Sequence, residues 1–186
     1  MIITVDSALW EELVNSDRHD YLGIGRSEDQ LTDPKWLDGF LKRWRLDARG
    51  LDKAGLVKGL TGLRGTLQRD AERLASGRHL ERSDLKRLDA FLRASPLIRK
   101  IEPRGQGVVV GLEPVRRTVA SVLAEIAFAF AETVASGKPG RIRVCGNADC
   151  RWIFFDRSKG GGRKWCGPTC GNLMKVRRFR RRHKRP

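Results

Sequence analysis

Four cysteines are the residues best suited to chemistry in this chain, and all lie in its last quarter: Cys145, Cys150, Cys166 and Cys170. They form two short pairs, Cys145-x4-Cys150 and Cys166-x3-Cys170, with 15 residues between them. Two ligands from one turn, a stretch that loops out and returns, and two more ligands meet the needs of a tetrahedral tetrathiolate zinc site. A redox dithiol asks for Cys-x-x-Cys beside a βαβ pattern, and neither pair has that spacing. The opening residues, MIITVDSALWEELV, lack a basic stretch before an apolar one, so a cytoplasmic and reducing setting is expected. There, clustered cysteines serve as metal ligands sooner than as disulfides. Four thiolates leave no coordination position for water, and no candidate base lies nearby. The expected cofactor is therefore one structural Zn2+ held by Cys145, Cys150, Cys166 and Cys170. A redox switch, in which oxidation of the thiolates releases the metal, is compatible with the same residues.

The second chemical signal is charge. The chain of 186 residues carries a formal net charge of +16, and from Arg141 onward there are 15 Lys and Arg against 2 Asp, or +13. The remaining residues are nearly balanced, so the attraction for a polyanion belongs to one end. After Cys170 the sequence GNLMKVRRFRRRHKRP places Asn172, Lys175, Arg177, Arg178, Arg180, Arg181, Arg182, Lys184 and Arg185 as candidate nucleic-acid contacts. As a helix it would carry Leu173, Val176 and Phe179 or Arg180 as a narrow inner stripe, with Lys175, Arg178 and Arg182 projecting outward. Arginine's planar fork suits phosphates and the guanine edge. A flexible non-specific tail and a membrane-surface contact are the plainer readings of the same charge.

The elements that position these groups can be read in outline. Ile2–Val5 has the composition of a short strand, and Ser7 can cap a helix carrying Leu9, Trp10, Leu13 and Val14 inward. Arg18 to Ser27 reads as loop. Thr32-Asp33-Pro34 starts a helix with Leu37, Phe40, Leu41 and Trp44 on one stripe. Leu51-Asp52 opens a longer helix that stops at Ser76-Gly77, and its Gly55, Gly59, Gly62 and Gly65 suggest either close helix packing or a helix that forms only against its neighbours. Ser83-Asp84 starts another, with Leu85, Leu88, Phe91 and Leu92 inward. Leu97–Glu102 and Val108–Leu112 form a β-hairpin. Glu113-Pro114 leads into the most apolar helix, ending near Gly137 and central to the core. No run of 18 apolar residues occurs, so no membrane span is expected.

The fold class expected is α+β. A mainly helical body with a small hairpin, residues 1–137, is joined by a linker, 138–140, to a treble-clef-like zinc finger with a basic helix, 141–186. Within the finger, Arg151–Asp156 would pair as a strand with a return strand at Arg163–Trp165 across the Arg157–Gly162 turn. Trp152, Phe154, Phe155 and Trp165 read as its small core sooner than as base-stacking platforms.

The segment Arg141–Arg182 resembles the CGNR zinc-finger family. The resemblance rests on Cys145 and Cys150, Trp152-x-Phe154-x-Asp156-x-Ser158, Trp165-Cys166, Cys170-Gly171-Asn172 and Lys175-Val-Arg-Arg. Leu173 stands where the family motif has arginine. The body is similar to the ABATE domain, described as a family of stress-induced transcription regulators, at Leu13-Val14-Asn15-Ser16 and at Asp33-Pro34 with Trp36-Leu37. The resemblance implies a bacterial, nucleoid-associated regulator that binds DNA through its finger. Its body would bind an effector, form a homodimer, or both. An RNA- or ribosome-associated zinc protein is the alternative, since a phosphate-seeking helix does not choose its polymer. A polar cluster at Asp17, Arg18, His19 and Asp20 contains no nucleophile–base motif, and enzymatic activity is not expected.

Overall fold

A computed structural model describes Asp6 and residues 8–22, 24–25 and 27–183. The strand expected at Ile2–Val5, the cap expected from Ser7, and Lys184 and Arg185 lie outside the described residues. The chain runs α1 (Ala8–Val14), β1 (Asp17–Arg18), β2 (Glu28–Asp29), α2 (Pro34–Arg43), α3 (Lys53–Ala75), α4 (Arg82–Arg93), β3 (Leu97–Arg104), β4 (Gly107–Pro114), α5 (Val119–Ala135), β5 (Ile142–Val144), β6 (Ile153–Phe155) and α6 (Pro168–His183). Each of its three antiparallel two-stranded ladders, β1–β2, β3–β4 and β5–β6, joins strands that follow one another.

Local chemistry explains most element boundaries. Asp33 caps α2 by accepting the Lys35 N–H, with Pro34 in the first turn. Asp52 caps α3 by accepting from Ala54 and Gly55. Beyond the end of α3, Gly77 takes φ 77°, a conformation that costs glycine little. Helix α4 begins at Arg82, capped by Glu81, and Asp84 lies third in the helix, reaching back to the Glu81 N–H. This register corrects the expectation for Leu85, which is 51% exposed. Asp84 occupies the neighbouring buried position instead, paired with Arg73 and Arg87 from inside the α3–α4 seam.

The core is organised on α3 and α5. Leu56, Leu60, Leu63, Leu67 and Ala71 of α3 meet Val122, Ile126 and Phe130 of α5, and Trp10 of α1 closes the layer. The Trp10 ring meets Phe130 edge-on with centroids 5.1 Å apart, and its Nε1–H donates to Thr133 Oγ1 at 2.9 Å, so its polar atom is satisfied where it is buried. Of the four α3 glycines, only Gly59 marks a close helix contact. A Cβ there would lie 2.9 Å from Leu123 Cδ1 and 3.2 Å from Val119 Cγ1, whereas Gly62 faces open space. Buried Arg64 reaches from α3 to Asp29 in a bidentate pair (2.6 and 2.7 Å) and to Ser16 Oγ at 2.9 Å. It thereby fixes the ends of the loop that joins β1 to β2. That guanidinium also holds the Asp29 carboxyl below the usual carboxylate range.

The β5–β6 ladder belongs to this same core. Ile142 and Ile153 are buried with the α3 and α5 side chains, and Phe155 packs against them. This corrects the expected arrangement of the finger. The partner of Ile153–Phe155 is Ile142–Val144, before the first cysteine, and Arg163–Trp165 is not a strand. The reason is apolar content: Ile142 and Ile153 bury fully against the body, whereas Arg163 and Lys164 have nothing to bury.

Candidate metal centre and basic helix

The β5–β6 hairpin carries the first cysteine pair at its tip. Cys145 follows β5 and donates its N–H to Trp152 O at 2.8 Å, and Cys150 closes the knuckle through its N–H to Asn147 O. The second pair straddles the start of α6, with Cys166 before Pro168 and Cys170 within the first turn. All four sulfurs lie within 4.8 Å of one another. Cys150 and Cys166 are 3.7 Å apart and Cys166 and Cys170 3.6 Å. Sulfurs at the corners of a tetrahedron around zinc, with bonds of about 2.3 Å, are separated by about 3.8 Å. A disulfide would bring two of them to about 2.05 Å. The donor set fits one zinc ion and no disulfide.

Protonation makes the same demand. The Cys150 thiol is pulled down to about 5, chiefly by the hydrogen bond from Cys166. Burial pushes Cys170 up to about 11, and the Cys166 thiol is driven upward by its hydrogen bond to Cys150 and by burial. One thiolate is easily formed, but each further one meets the charge of the first in a buried pocket. Four thiolates together require a cation among them, and zinc supplies it. Weak donors already face the sulfurs: the Cys166 N–H points at Cys145 Sγ at 3.5 Å and buried Asn147 Nδ2 at Cys170 Sγ at 3.9 Å.

Residues around the ligands are explained by shape. Trp165 lies between the two glycines that follow ligands. A Cβ on Gly146 would approach its ring at 2.9 Å and one on Gly171 at 3.2 Å. Asp156, fully buried, organises the loop after β6 by accepting from Ser158 N and Oγ and from Arg163 N, and Ser158 in particular holds its carboxyl down at about 2. Arg163 then donates to Trp165 O and Cys166 O, with its guanidinium over the Phe154 ring. Trp152 and Trp165 pack against the cysteines while Phe154 is buried, so the aromatics build the finger's interior.

Helix α6 runs straight on from the metal ligands. Its 16 residues span about 24 Å. Cys170 and Gly171 are its buried residues, and after Met174 every residue but Arg177 is exposed. The inner stripe expected from Val176 and Phe179 is corrected: they are 45% and 61% exposed. The helix leaves the finger after its first turns, so nothing remains for these side chains to pack on. Phe179 stacks instead on His183 of the next turn, with centroids 4.0 Å apart. Arg177 is held by Asp149 at 2.6 Å, with Asn147 Oδ1 at 3.4 Å, and so braces α6 against the knuckle. Among the described residues, no carboxylate pairs with Lys175, Arg178, Arg180, Arg181 or Arg182. Asn172, exposed, lies two residues beyond the last ligand.

The residue that sequence reasoning did not assign to the site is Asn15. Its Nδ2 donates to Ile153 O at 2.7 Å and its Oδ1 accepts the Ile153 N–H at 2.8 Å. Its place in the Leu-Val-Asn-Ser stretch was the available signal. Of Asp17, Arg18, His19 and Asp20, the last three line one pocket together with Tyr21, Glu28, Cys150 and Trp152. Asp17 and Arg18 form β1, and Asp20 accepts the Ile24 and Gly25 N–H groups in the following turn.

Fold and site together define a helical body that carries a tetrathiolate zinc finger and, beyond it, a projecting basic helix. The comparison with protein families agrees. The ABATE family, whose description is "Putative stress-induced transcription regulator", matches residues 7–137, and the CGNR zinc finger matches residues 141–183. The chain belongs to the ABATE family and bears a CGNR zinc finger at its C-terminal end. No curated protein matches it. Among the described residues no helix is long and apolar enough to cross a membrane.

Proposed function

We propose that this protein is a DNA-binding transcription regulator whose zinc centre fixes the first turn of α6 and presents the remainder to duplex DNA. The observation that carries the reading is the set of five cations, Lys175, Arg178, Arg180, Arg181 and Arg182, that no carboxylate pairs among the described residues, on a helix that begins beside a metal ligand. A helix of this diameter fits the major groove, and the cations that do not face bases can meet phosphates. The metal contributes rigidity and no chemistry. With the zinc in place, Cys166 and Cys170 hold the helix start, Arg177 and Asp149 set its angle, and Asn15 fixes the hairpin to the body.

The body offers a place for an effector. A groove of about 640 Å³ between α2 and the loop to α3 has an apolar floor of Leu37, Leu41, Leu46 and Leu56 with Lys42 and Arg45 at its rim. We assign any effector to this groove, whose apolar floor is edged by charges of both signs, Lys42, Arg45, Arg49 and Lys53 with Asp38 and Asp47.

The test is selection of bound sequences from a random DNA pool, with the intact protein and with Cys166→Ser. Enrichment of one sequence motif that disappears in the variant supports the reading. Engagement of about six phosphates gives a slope near −5 for log affinity against log salt. Unselective binding to any polyanion, or preference for structured RNA at fixed salt, overturns it.

A further inference from the structure

The β3–β4 hairpin is the part of the molecule whose construction the zinc finger and the basic helix leave unexplained. It is eight residue pairs long and turns at Gly105 (φ 61°). Among the described residues neither strand packs extensively on another element, and none of the hairpin's residues belongs to the buried hydrophobic core. A lone two-stranded hairpin is marginal in water unless one of its faces is covered.

Its two faces are different in kind. Strand alternation and the register place Leu97, Arg99 and Ile101 on the same face as Val108, Val110 and Leu112. The opposite face is mixed: Lys100 bonds to Glu113 at 3.0 Å and to Glu102 at 3.3 Å, beside Ile98, 47% exposed, and Val109. On the apolar face Ile101 is 69% exposed, Val108 70% and Val110 64%, and Ile101 and Val110 are directly cross-strand partners. The five aliphatic side chains expose on the order of 500 Å², as much as the largest patch on a typical monomer. Arg99 does not interrupt the face, because its aliphatic stem can lie along Leu112 while its guanidinium reaches the rim.

We propose that this face is a homodimer interface, covered by the same face of a second copy of this chain. Area decides the occupant. Two such faces placed together withdraw up to about 1,000 Å² from water, the level at which specific interfaces begin, before any rim contact is added. A two-fold axis in the plane between the two faces, over the Ile101–Val110 pair, brings the same aliphatic patch of each copy together and leaves the outer faces in solvent. The interface involves none of the residues assigned to zinc or to DNA, so the two proposals fail independently.

The experiment is sedimentation analysis of the full zinc-loaded chain across roughly 1 to 100 µM, a range that covers ordinary interface affinities. The wild type is expected at twice the chain mass. Ile101→Lys with Val110→Lys should sediment as a monomer, with helix content and zinc stoichiometry unchanged, because neither side chain is in the core. Val108→Thr with Val110→Thr, which preserves shape and strand propensity, should weaken the dimer at least tenfold. Ile98→Lys, on the opposite face, should leave it intact. A wild-type monomer overturns the proposal. So does a dimer that survives the double lysine variant. A monomer whose hairpin amides lose protection on deletion of residues 1–5 assigns the face to the chain's own N-terminal segment, and also overturns it.

Discussion

Asn15, just past the end of α1, behaves toward Ile153 as a strand partner would. Its side-chain amide donates to the Ile153 carbonyl and accepts the Ile153 N–H, both outward-facing groups on the free edge of β6. One turn earlier, Glu11 Oε2 accepts the Phe155 N–H at 3.1 Å, and its other oxygen pairs with Arg157 at 2.6 Å. The spacing explains the fit. Four residues rise about 6 Å along a helix, and two residues span about 6.6 Å along a strand. Helix α1 thus closes the edge of the hairpin that carries the metal knuckle.

Replacing Asn15 by alanine should therefore act on the finger and not on α1 alone. Both Ile153 groups would be left buried without partners, at a cost of about 2–4 kcal/mol. Urea unfolding gives the loss, and faster amide exchange at Ile153 with slower change at Trp10 would localise it. A loss below about 1 kcal/mol would mean that water replaces the amide.

The glycines after ligands should matter for metal affinity through Trp165. Gly146→Ala places a methyl 2.9 Å from that ring and 3.0 Å from Lys164 Cγ, and is expected to weaken zinc binding at least tenfold in chelator competition. Gly162→Ala, where nothing lies within 4 Å, should leave the affinity unchanged.

On α6 the cations should separate into two groups. Arg178→Ala with Arg182→Ala is expected to reduce the steepness of the salt dependence of DNA binding by about 2, with no change in stability. Arg177→Ala should instead lower stability by less than about 1 kcal/mol, because it removes a partly exposed pair with Asp149. Binding titrations at four salt concentrations separate the two effects. Equal slopes for both variants would show that Arg177 also leaves Asp149 to meet phosphate.

Buried Asp70 gives the body a pH dependence. Burial, followed by the nearby Asp84 charge, raises its carboxyl to about 6, and its Oδ2 has no hydrogen-bond partner. A raised acid binds its proton more tightly folded than unfolded, so its contribution is full below about pH 4 and lost as pH rises through about 6. Asp70→Asn should raise stability at pH 7.5 by on the order of 1 kcal/mol and flatten the decline between pH 4 and 7. Thermal melts across that range are the check, and unchanged pH dependence would show that Arg87, 3.9 Å away, already neutralises the charge.

Much of the site was legible in one dimension because its determinants are local. Ligand spacing identified the zinc set, and Asp33-Pro34, Asp52 and Gly77 marked helix ends through groups a few residues apart. The pairing of Ile153–Phe155 was misplaced, because a glycine-rich turn after Asp156 pointed to a return strand at Arg163–Trp165, whereas burial of Ile142 and Ile153 against the body decides the partner. Leu85 and Phe179 misled for the same reason. Helical periodicity says which residues share a face, and not whether anything stands opposite.

The amino-acid sequence by itself determined the metal, its four ligands, the concentration of charge at one end and the helical body, because each depends on composition or on short spacing. Tertiary structure alone decided that the finger is fastened to the body through Asn15 and Glu11, that α6 stands clear with Arg177 alone of its cations paired among the described residues, and that among those residues the aliphatic face of the β3–β4 hairpin is left exposed. Those depend on contacts between residues more than a hundred positions apart, or on the absence of any neighbour, and neither is encoded in a local pattern.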